Sequence, residues 1–246
     1  MALALLRPDW PAPQKVQVAS TIRLGGVSAP PYDSLNLATH VGDDPQAVAA
    51  NRTILQEQLQ LPTEPVWLDQ VHGAGVVSLD GALTDIPKAD ASVTQIGGVV
   101  CVVQTADCLP VLFCSRQGTR VAAAHAGWRG LAAGVLEATV ARLDTPAEDI
   151  LAWLGPAIGP RAFEVGEEVH EAFVAVDPEQ AQAFVETRPG HWRADLYQLA
   201  RRRLHQAGVT AVYGGSCCTY EDAERFYSYR RDGVTGRMAS LIWLSP

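Results

Sequence analysis

The sequence contains no run of eighteen consecutive apolar residues, so it offers no helix able to cross a bilayer. No GxGxxG follows the first predicted strand and no GxxxxGKS/T is present, which leaves dinucleotide and P-loop nucleotide binding without support. There is no basic excess: Lys+Arg number 19 against 27 Asp+Glu, a formal net charge of −8. That balance argues against nucleic acid or an anionic membrane as partner, because both select a basic surface. A small anionic substrate held by a few local arginines stays open. The opening MALALLRPDW lacks a basic segment, and its apolar stretch stops at Arg7-Pro8, too short for a secretory signal. Methionine occurs twice and histidine six times. The five cysteines are odd in number, and Cys101, Cys108 and Cys114 crowd into an apolar region. This usage suits a reduced, cytoplasmic protein rather than a disulfide scaffold.

What is present is globular. Apolar residues make up 48% of the 246 and charged residues 19%, with mean hydropathy +0.03. The length can bury one sizeable core, and no repeat or Gly/Ser linker divides it, so residues 1–246 read as a single domain. Val16, Val18 and Ser20 alternate as a first strand. Asp44-Pro45 opens a helix to about Gln60. Short apolar runs at Val66–Leu68, Val76–Leu79, Val99–Val103, Val111–Phe113, Arg120–Ala124 and Ile150–Leu154 read as strands, as do Val209–Tyr213 and Leu241–Leu244. Helices are expected over Gly130–Leu143, Glu167–Val174 and Asp195–Ala207, with a capping box at Thr145–Glu148. Strands and helices mix without strict βαβ alternation, which predicts an α+β fold with mixed sheets and helices outside.

The richest stretch is CVVQTADCLPVLFCSRQGTRVAAAHAGWRG, residues 101–130. Cys108 lies past a hydrophobic strand, and His125 ends another. Strand ends and their loops are where a rigid scaffold carries chemistry. His72 sits in a polar break, 36 residues before Cys108, which precedes His125 by 17. This is no compact zinc-finger spacing, but a loop-borne three-ligand set suits a catalytic zinc with an open position. The blander reading makes Cys108 a small buried hydrophobe and the histidines ordinary side chains. Cys101 and Cys114 take that reading, as do His170, His191 and His205. A helix start beside His125 with Arg129 in it forms a ready anion site. Further polar loops hold Arg23 beside Gly25-Gly26, Asn36 within Ser34–Asp44, and aromatics beside Arg230-Arg231 that could stack on a purine. The vicinal pair Cys217-Cys218 is poorly placed for a local disulfide.

Taken together the segments resemble the YfiH/laccase-domain family, also described as multicopper polyphenol oxidoreductases or purine nucleoside phosphorylases. The carrying motifs are TIRLGGVS (21–28), SLNLATHVGDDP (34–45), NR (51–52), QVHG (70–73), TADCLPVLF (105–113), HAGWRG (125–130), GPAIGPRAFEVGEEV (155–169) and FYSYRRDGVTGRMASLIWL (226–244). They run in order over nearly the full length. The resemblance implies that His72, Cys108 and His125 are zinc ligands and catalytic residues. It implies a sandwich-like pair of mixed sheets flanked by helices, similar to the catalytic domain of cytotoxic necrotizing factor. It further implies phosphorolysis of adenosine, inosine and methylthioadenosine with adenosine deaminase activity. Older descriptions make the family copper-dependent laccases, and some members are linked to editing of peptidoglycan precursors.

The expectation drawn is a zinc-dependent purine nucleoside phosphorylase with a deaminase side activity, acting as monomer or homodimer on nucleoside and phosphate. Arg129 is the first arginine expected to bind phosphate, with Arg23, Arg52, Arg230 and Asn36 behind it. The His-x-Glu and Pro-Cys-x-x-Cys deaminase signature is absent, so deamination would need another arrangement. A His₂Cys set also suits copper, but a multicopper oxidase needs a further histidine-rich cluster, and six histidines leave little for one. The third alternative is a metal-free amide hydrolase with Cys108 as nucleophile and His125 as base, acting on a cell-wall precursor.

Overall fold

The computed structural model describes residues 3–81 and 85–246. Its strands are β1 (Leu5–Leu6), β2 (Val16–Thr21), β3 (Val76–Ser78), β4 (Ala91–Thr94), β5 (Val100–Thr105), β6 (Leu109–Ser115), β7 (Val121–Ala126), β8 (Ile150–Leu154), β9 (Glu164–Gly166), β10 (Phe184–Arg188), β11 (His191–Ala194), β12 (Ala211–Gly214) and β13 (Met238–Leu244). Its helices are α1 (Pro45–Leu59), α2 (Trp128–Ala132), α3 (Val135–Arg142), α4 (Glu167–Val174), α5 (Leu196–Gln206) and α6 (Tyr229–Asp232).

Two mixed-origin sheets face each other. One has the order β1-β2-β13-β5 and the other β12-β8-β6-β7-β4-β3. Strand alternation explains the layering, since successive side chains point to opposite faces. Cys101, Val103 and Ile242 meet Leu112, Cys114, Val121, Ala123 and Leu151 between the sheets. The opposite face of the six-stranded sheet, with Val111, Phe113, Ala122 and Ala124, packs on α3 and α5 through Leu136 and Leu204. The outer face of the four-stranded sheet, with Val100, Val102 and Leu241, packs on α1 through Leu55. The expected α+β sandwich is therefore present, with β5, the last strand of its sheet, and the central strand β6 both buried along their whole length.

Local signals hold at several ends. The Asp44 carboxylate accepts the Gln46 amide at the start of α1, and Asp195 accepts the Tyr197 and Gln198 amides at the start of α5. Four expectations are corrected. Val66–Leu68 is not a strand; it contributes one bridge, Val66 to Cys101. The helix expected over Gly130–Leu143 is two helices, because Gly134 adopts φ +92°, which a right-handed helix cannot contain. Thr145 makes no capping box: its hydroxyl donates to the Leu143 carbonyl, and a 3₁₀ turn over Ala147–Asp149 follows. A three-stranded sheet, β10-β11-β9, was not expected. Its strand β10 is exposed from Val185 onward, so it carries no apolar alternation.

Candidate metal centre

The site lies at one end of the sandwich, where β5 and β7 finish and β6 begins. In the β6–β7 pairing Leu109 opposes Ala126 and Pro110 opposes His125. One step further along that register, Cys108 comes opposite Gly127. This is why two residues 17 apart in sequence meet. His125 shares its strand face with Ala123, so its ring closes the end of the core between the sheets. His72 arrives from the loop before β3. The ligand atoms of His72, Cys108 and His125 lie within 4.8 Å of one another, and the two imidazoles pack edge-on with centroids 4.8 Å apart. Cys101 and Cys114 are fully buried strand residues, as expected, and burial pushes both thiols up to about 12. His205 is exposed, His191 is half-buried and His170 stacks on Trp192, all consistent with ordinary side chains.

Two glycines make room for this set. A Cβ on Gly127 would stand 2.6 Å from Cys108 Sγ, and one on Gly130 would stand 2.8 Å from the Gly73 carbonyl oxygen. The HAGWRG motif is thus a packing requirement of the site. Behind the ligands lies Asp90, fully buried, at the residue before β4. Its Oδ1 is 2.9 Å from His125 Nδ1, and its two oxygens accept the backbone N–H groups of Val71, His72 and Gly73. Burial alone would raise the Asp90 carboxyl. The hydrogen bonds from His125 and the Gly73 and His72 amides, with the His125 charge, outweigh burial and hold it below the usual carboxylate range.

Charge organises the cysteine as well. Burial would raise the Cys108 thiol, but the His125 charge and hydrogen bonds from His125 and His72 bring it down. Burial would lower His125, but the Cys108 thiolate and then Asp90 drive it up. Without a metal the pair is therefore a thiolate beside an imidazolium. Asp107, next in chain, holds the unusual φ of +91°. It is kept there by Thr219 Oγ1, which donates to its Oδ1 at 2.6 Å, and by the Arg230 amide, which donates to its Oδ2 at 2.6 Å.

A cavity of about 320 Å³ opens over the three ligands. His40, Gln70, Gln104, Tyr229 and Arg237 complete its wall. Burial lowers both His40 and Arg237. For His40 the Arg237 charge adds to the lowering, whereas the Cys108 and Asp107 charges oppose it at Arg237. The arginine facing the site is thus Arg237, which had not been singled out, and neither had Gln104 or Asp90, whereas Tyr229 is one of the aromatics beside Arg230-Arg231 and His40 belongs to the polar loop that holds Asn36. Arg237, His40 and Tyr229 all stand inside motifs that carry the family resemblance, and for Arg237 that was the only available signal.

The five other expected binding residues lie elsewhere. Arg129 is exposed and stacks on Trp128. Arg23 donates to Asp33 and the Ala223 carbonyl and covers the Tyr227 ring. Arg52 donates to the Leu37 carbonyl and lies 3.9 Å over the Trp67 ring. Arg230 reaches Asp107 through its amide, while its guanidinium binds the Glu164 carbonyl. Asn36 is fully buried; its Oδ1 accepts the Ala38 and Arg237 amides, so it sets the backbone from which Arg237 reaches the cavity. None of the five lines the cavity. Short loops and ring stacking consume these arginines, whereas Arg237 spends part of its guanidinium on the Thr235 and Gly236 carbonyls and turns the rest inward.

The donor set fits zinc: two neutral imidazoles and one thiolate, with a carboxylate behind one imidazole and an open cavity on the fourth side. Among the described residues these three form the one group of three or more metal-ligating side chains. All five cysteines are free. No helix among the described residues is long and apolar enough to cross a membrane.

Residues 17–245 match the family model described as "Multi-copper polyphenol oxidoreductase laccase". The chain is 60% identical over 242 residues to a Pseudomonas aeruginosa protein named a purine nucleoside phosphorylase, covering 98% of both chains. It is 58% identical over 240 residues to "Purine nucleoside phosphorylase YfiH" of Escherichia coli K12, again covering 98% of both. Neisseria meningitidis protein NMB0706, solved by crystallography, superposes with a TM-score of 0.95 at 55% identity, over 98% of this chain and 99% of that one.

Proposed function

Because this chain belongs to the multi-copper polyphenol oxidoreductase laccase family, and its close relatives carry the name purine nucleoside phosphorylase, we propose that it is a zinc-dependent purine nucleoside phosphorylase with a side adenosine deaminase activity. The observation that carries this reading is the His72–Cys108–His125 set opening into a cavity whose wall holds one inward arginine, Arg237. His72, Cys108 and His125 would hold the zinc, which when bound supplies Lewis-acid polarisation of an oxygen in the cavity. The chain's own residues do the rest. Arg237, in a half-buried setting, neutralises and orients phosphate, a place the sequence had suggested for Arg129. His40, whose imidazole burial and the Arg237 charge hold below the usual histidine range, accepts a hydrogen bond from phosphate or a ribose hydroxyl. Tyr229, exposed at the cavity mouth, offers a ring face to the purine.

The reaction forms a bond from a phosphate oxygen to C1′ and breaks the C1′–N9 bond. The electron pair leaves with the purine, which takes up a proton. The products are the free base and ribose 1-phosphate. In deamination water would add at C6 and ammonia would leave. The acidic chain works on small solutes in the cytoplasm, as monomer or homodimer, with no nucleic acid or membrane partner.

Adenosine and inosine, incubated with and without phosphate and separated by chromatography, test the reading. Phosphate-dependent adenine and hypoxanthine are expected, with inosine from adenosine when phosphate is absent. Unchanged nucleosides with zinc-loaded protein would overturn it. A second reading rests on the alignment of Cys108, His125 and Asp90, which in metal-free protein is the order of a nucleophile, its base and an orienting carboxylate. That amide-hydrolase reading requires a covalent adduct on Cys108 in fully active protein, because a thiolate held by zinc is a poor nucleophile.

A further inference from the structure

We infer that Asp90 is the positioning residue that presets two of the three metal ligands at once, an inference that rests on the metal reading above. Its carboxylate serves two tasks. The first concerns His125. A carboxylate only accepts, so the Nδ1 that lies 2.9 Å from Asp90 Oδ1 carries the proton and donates it. Nε2 is thereby left as the ring's lone-pair atom, and the imidazole plane is fixed. The His125 amide also donates to the Asp90 carbonyl at 2.7 Å, so backbone and side chain of one residue hold backbone and side chain of the other.

The second task concerns His72. This residue adopts φ +61°, a left-handed conformation that costs a non-glycine residue energy. The conformation turns three consecutive amides, those of Val71, His72 and Gly73, toward one point. The Asp90 carboxylate occupies that point, at 3.3, 2.8 and 2.6 Å. The loop is a small anion cradle whose anion belongs to the chain. Four donors therefore converge on the two oxygens of a side chain with no exposure to water. Asparagine cannot replace it. Its amide has one oxygen, and its NH₂ group would face either His125 Nδ1 or the cradle's N–H groups. The buried carboxylate, with the Cys108 thiolate, also supplies two negative charges against a dication.

Asp90→Asn is the test, read by chelator-competition titration of zinc into stripped protein. Asp80→Asn is the control, because Asp80 also caps neighbouring groups, Thr94, Ser78 and the Gln95 amide, away from the ligands. The expected result is a ten- to hundredfold loss of zinc affinity in Asp90→Asn and none in Asp80→Asn, the scale that lost ligand orientation produces. Nitrogen-15 spectra of zinc-loaded wild type give an independent reading that does not depend on the variant folding. They should place the His125 proton on Nδ1. Wild-type zinc affinity in folded Asp90→Asn, or a proton on His125 Nε2, would overturn the assignment. Both readouts concern zinc and the ring alone, so they separate this inference from any failure of nucleoside turnover.

Discussion

Replacing Gly127 with alanine adds one methyl group at the centre of the site, and the outcome can be worked from geometry. Gly127 has φ −62° and ψ 161°, an extended conformation open to any residue, so backbone strain plays no part. The new Cβ would meet Cys108 Sγ at 2.6 Å and His72 Cδ2 at 3.4 Å. Ordinary contact lies at about 3.5–4.0 Å, so the sulfur must retreat by roughly 1 Å. Overpacking of this kind costs about 1–3 kcal/mol. If the cost falls on the ligand geometry, zinc affinity drops by roughly ten- to hundredfold, at 1.4 kcal/mol per factor of ten. Competition titration of the stripped variant measures the loss, and circular dichroism establishes that the metal-free fold persists. Zinc affinity and nucleoside turnover equal to wild type would refute the claim that Sγ is held in place by the absence of a side chain at 127.

Further outcomes follow from the same geometry. Arg237→Ala should raise the KM for phosphate at least tenfold while Arg129→Ala changes it less than twofold; steady-state kinetics with phosphate varied would reverse the assignment if the order were opposite. Thr219→Val removes the hydroxyl that donates to buried Asp107 Oδ1. It should cost about 1–3 kcal/mol, a fall of a few degrees in Tm, roughly 2–4 °C per kcal/mol for a chain of this size. An unchanged melting temperature would count against that bond. In metal-free protein His125 and His72 outweigh burial and lower the Cys108 thiol to about 6, so the thiolate fraction rises through that range and is lost as pH falls below it. Iodoacetamide alkylation followed from pH 5 to 9 should show its inflection below the ordinary thiol range; an inflection near 9 would contradict the ion pair.

Much of the frame was legible because its signals are local. Buried runs such as Val111–Phe113 and caps such as Asp44 and Asp195 depend on neighbouring residues, and they fall where expected. The break at Gly134 was missed because a glycine within a helical apolar pattern is compatible with either a continuous helix or a turn. The small sheet was missed because β10 and β11 lie at the surface, so burial never wrote a period of two into them. At the site, His72, Cys108 and His125 stood out through residue type and family motif. Asp90 did not, since Lys88-Ala89-Asp90-Ala91 reads as a polar joint between apolar runs. Its role depends on the register that lays Ala91 beside Ala124, and on a loop fold that only pairing creates. The expected arginines lie away from this cavity for a related reason. Sequence gives the positions of charged side chains, but whether a guanidinium is consumed by a carbonyl, as in Arg23, Arg52 and Arg230, is settled by tertiary contacts.

In the proposed function, one zinc on His72, Cys108 and His125 supports phosphorolysis of purine nucleosides. The decisive experiment titrates zinc into stripped protein, with elemental analysis and adenosine phosphorolysis read on the same samples. Activity should rise linearly to a plateau at one equivalent, and Cys108→Ala should stay inactive at every zinc level. Full activity in stripped protein, or activity restored by copper and not by zinc, would contradict it.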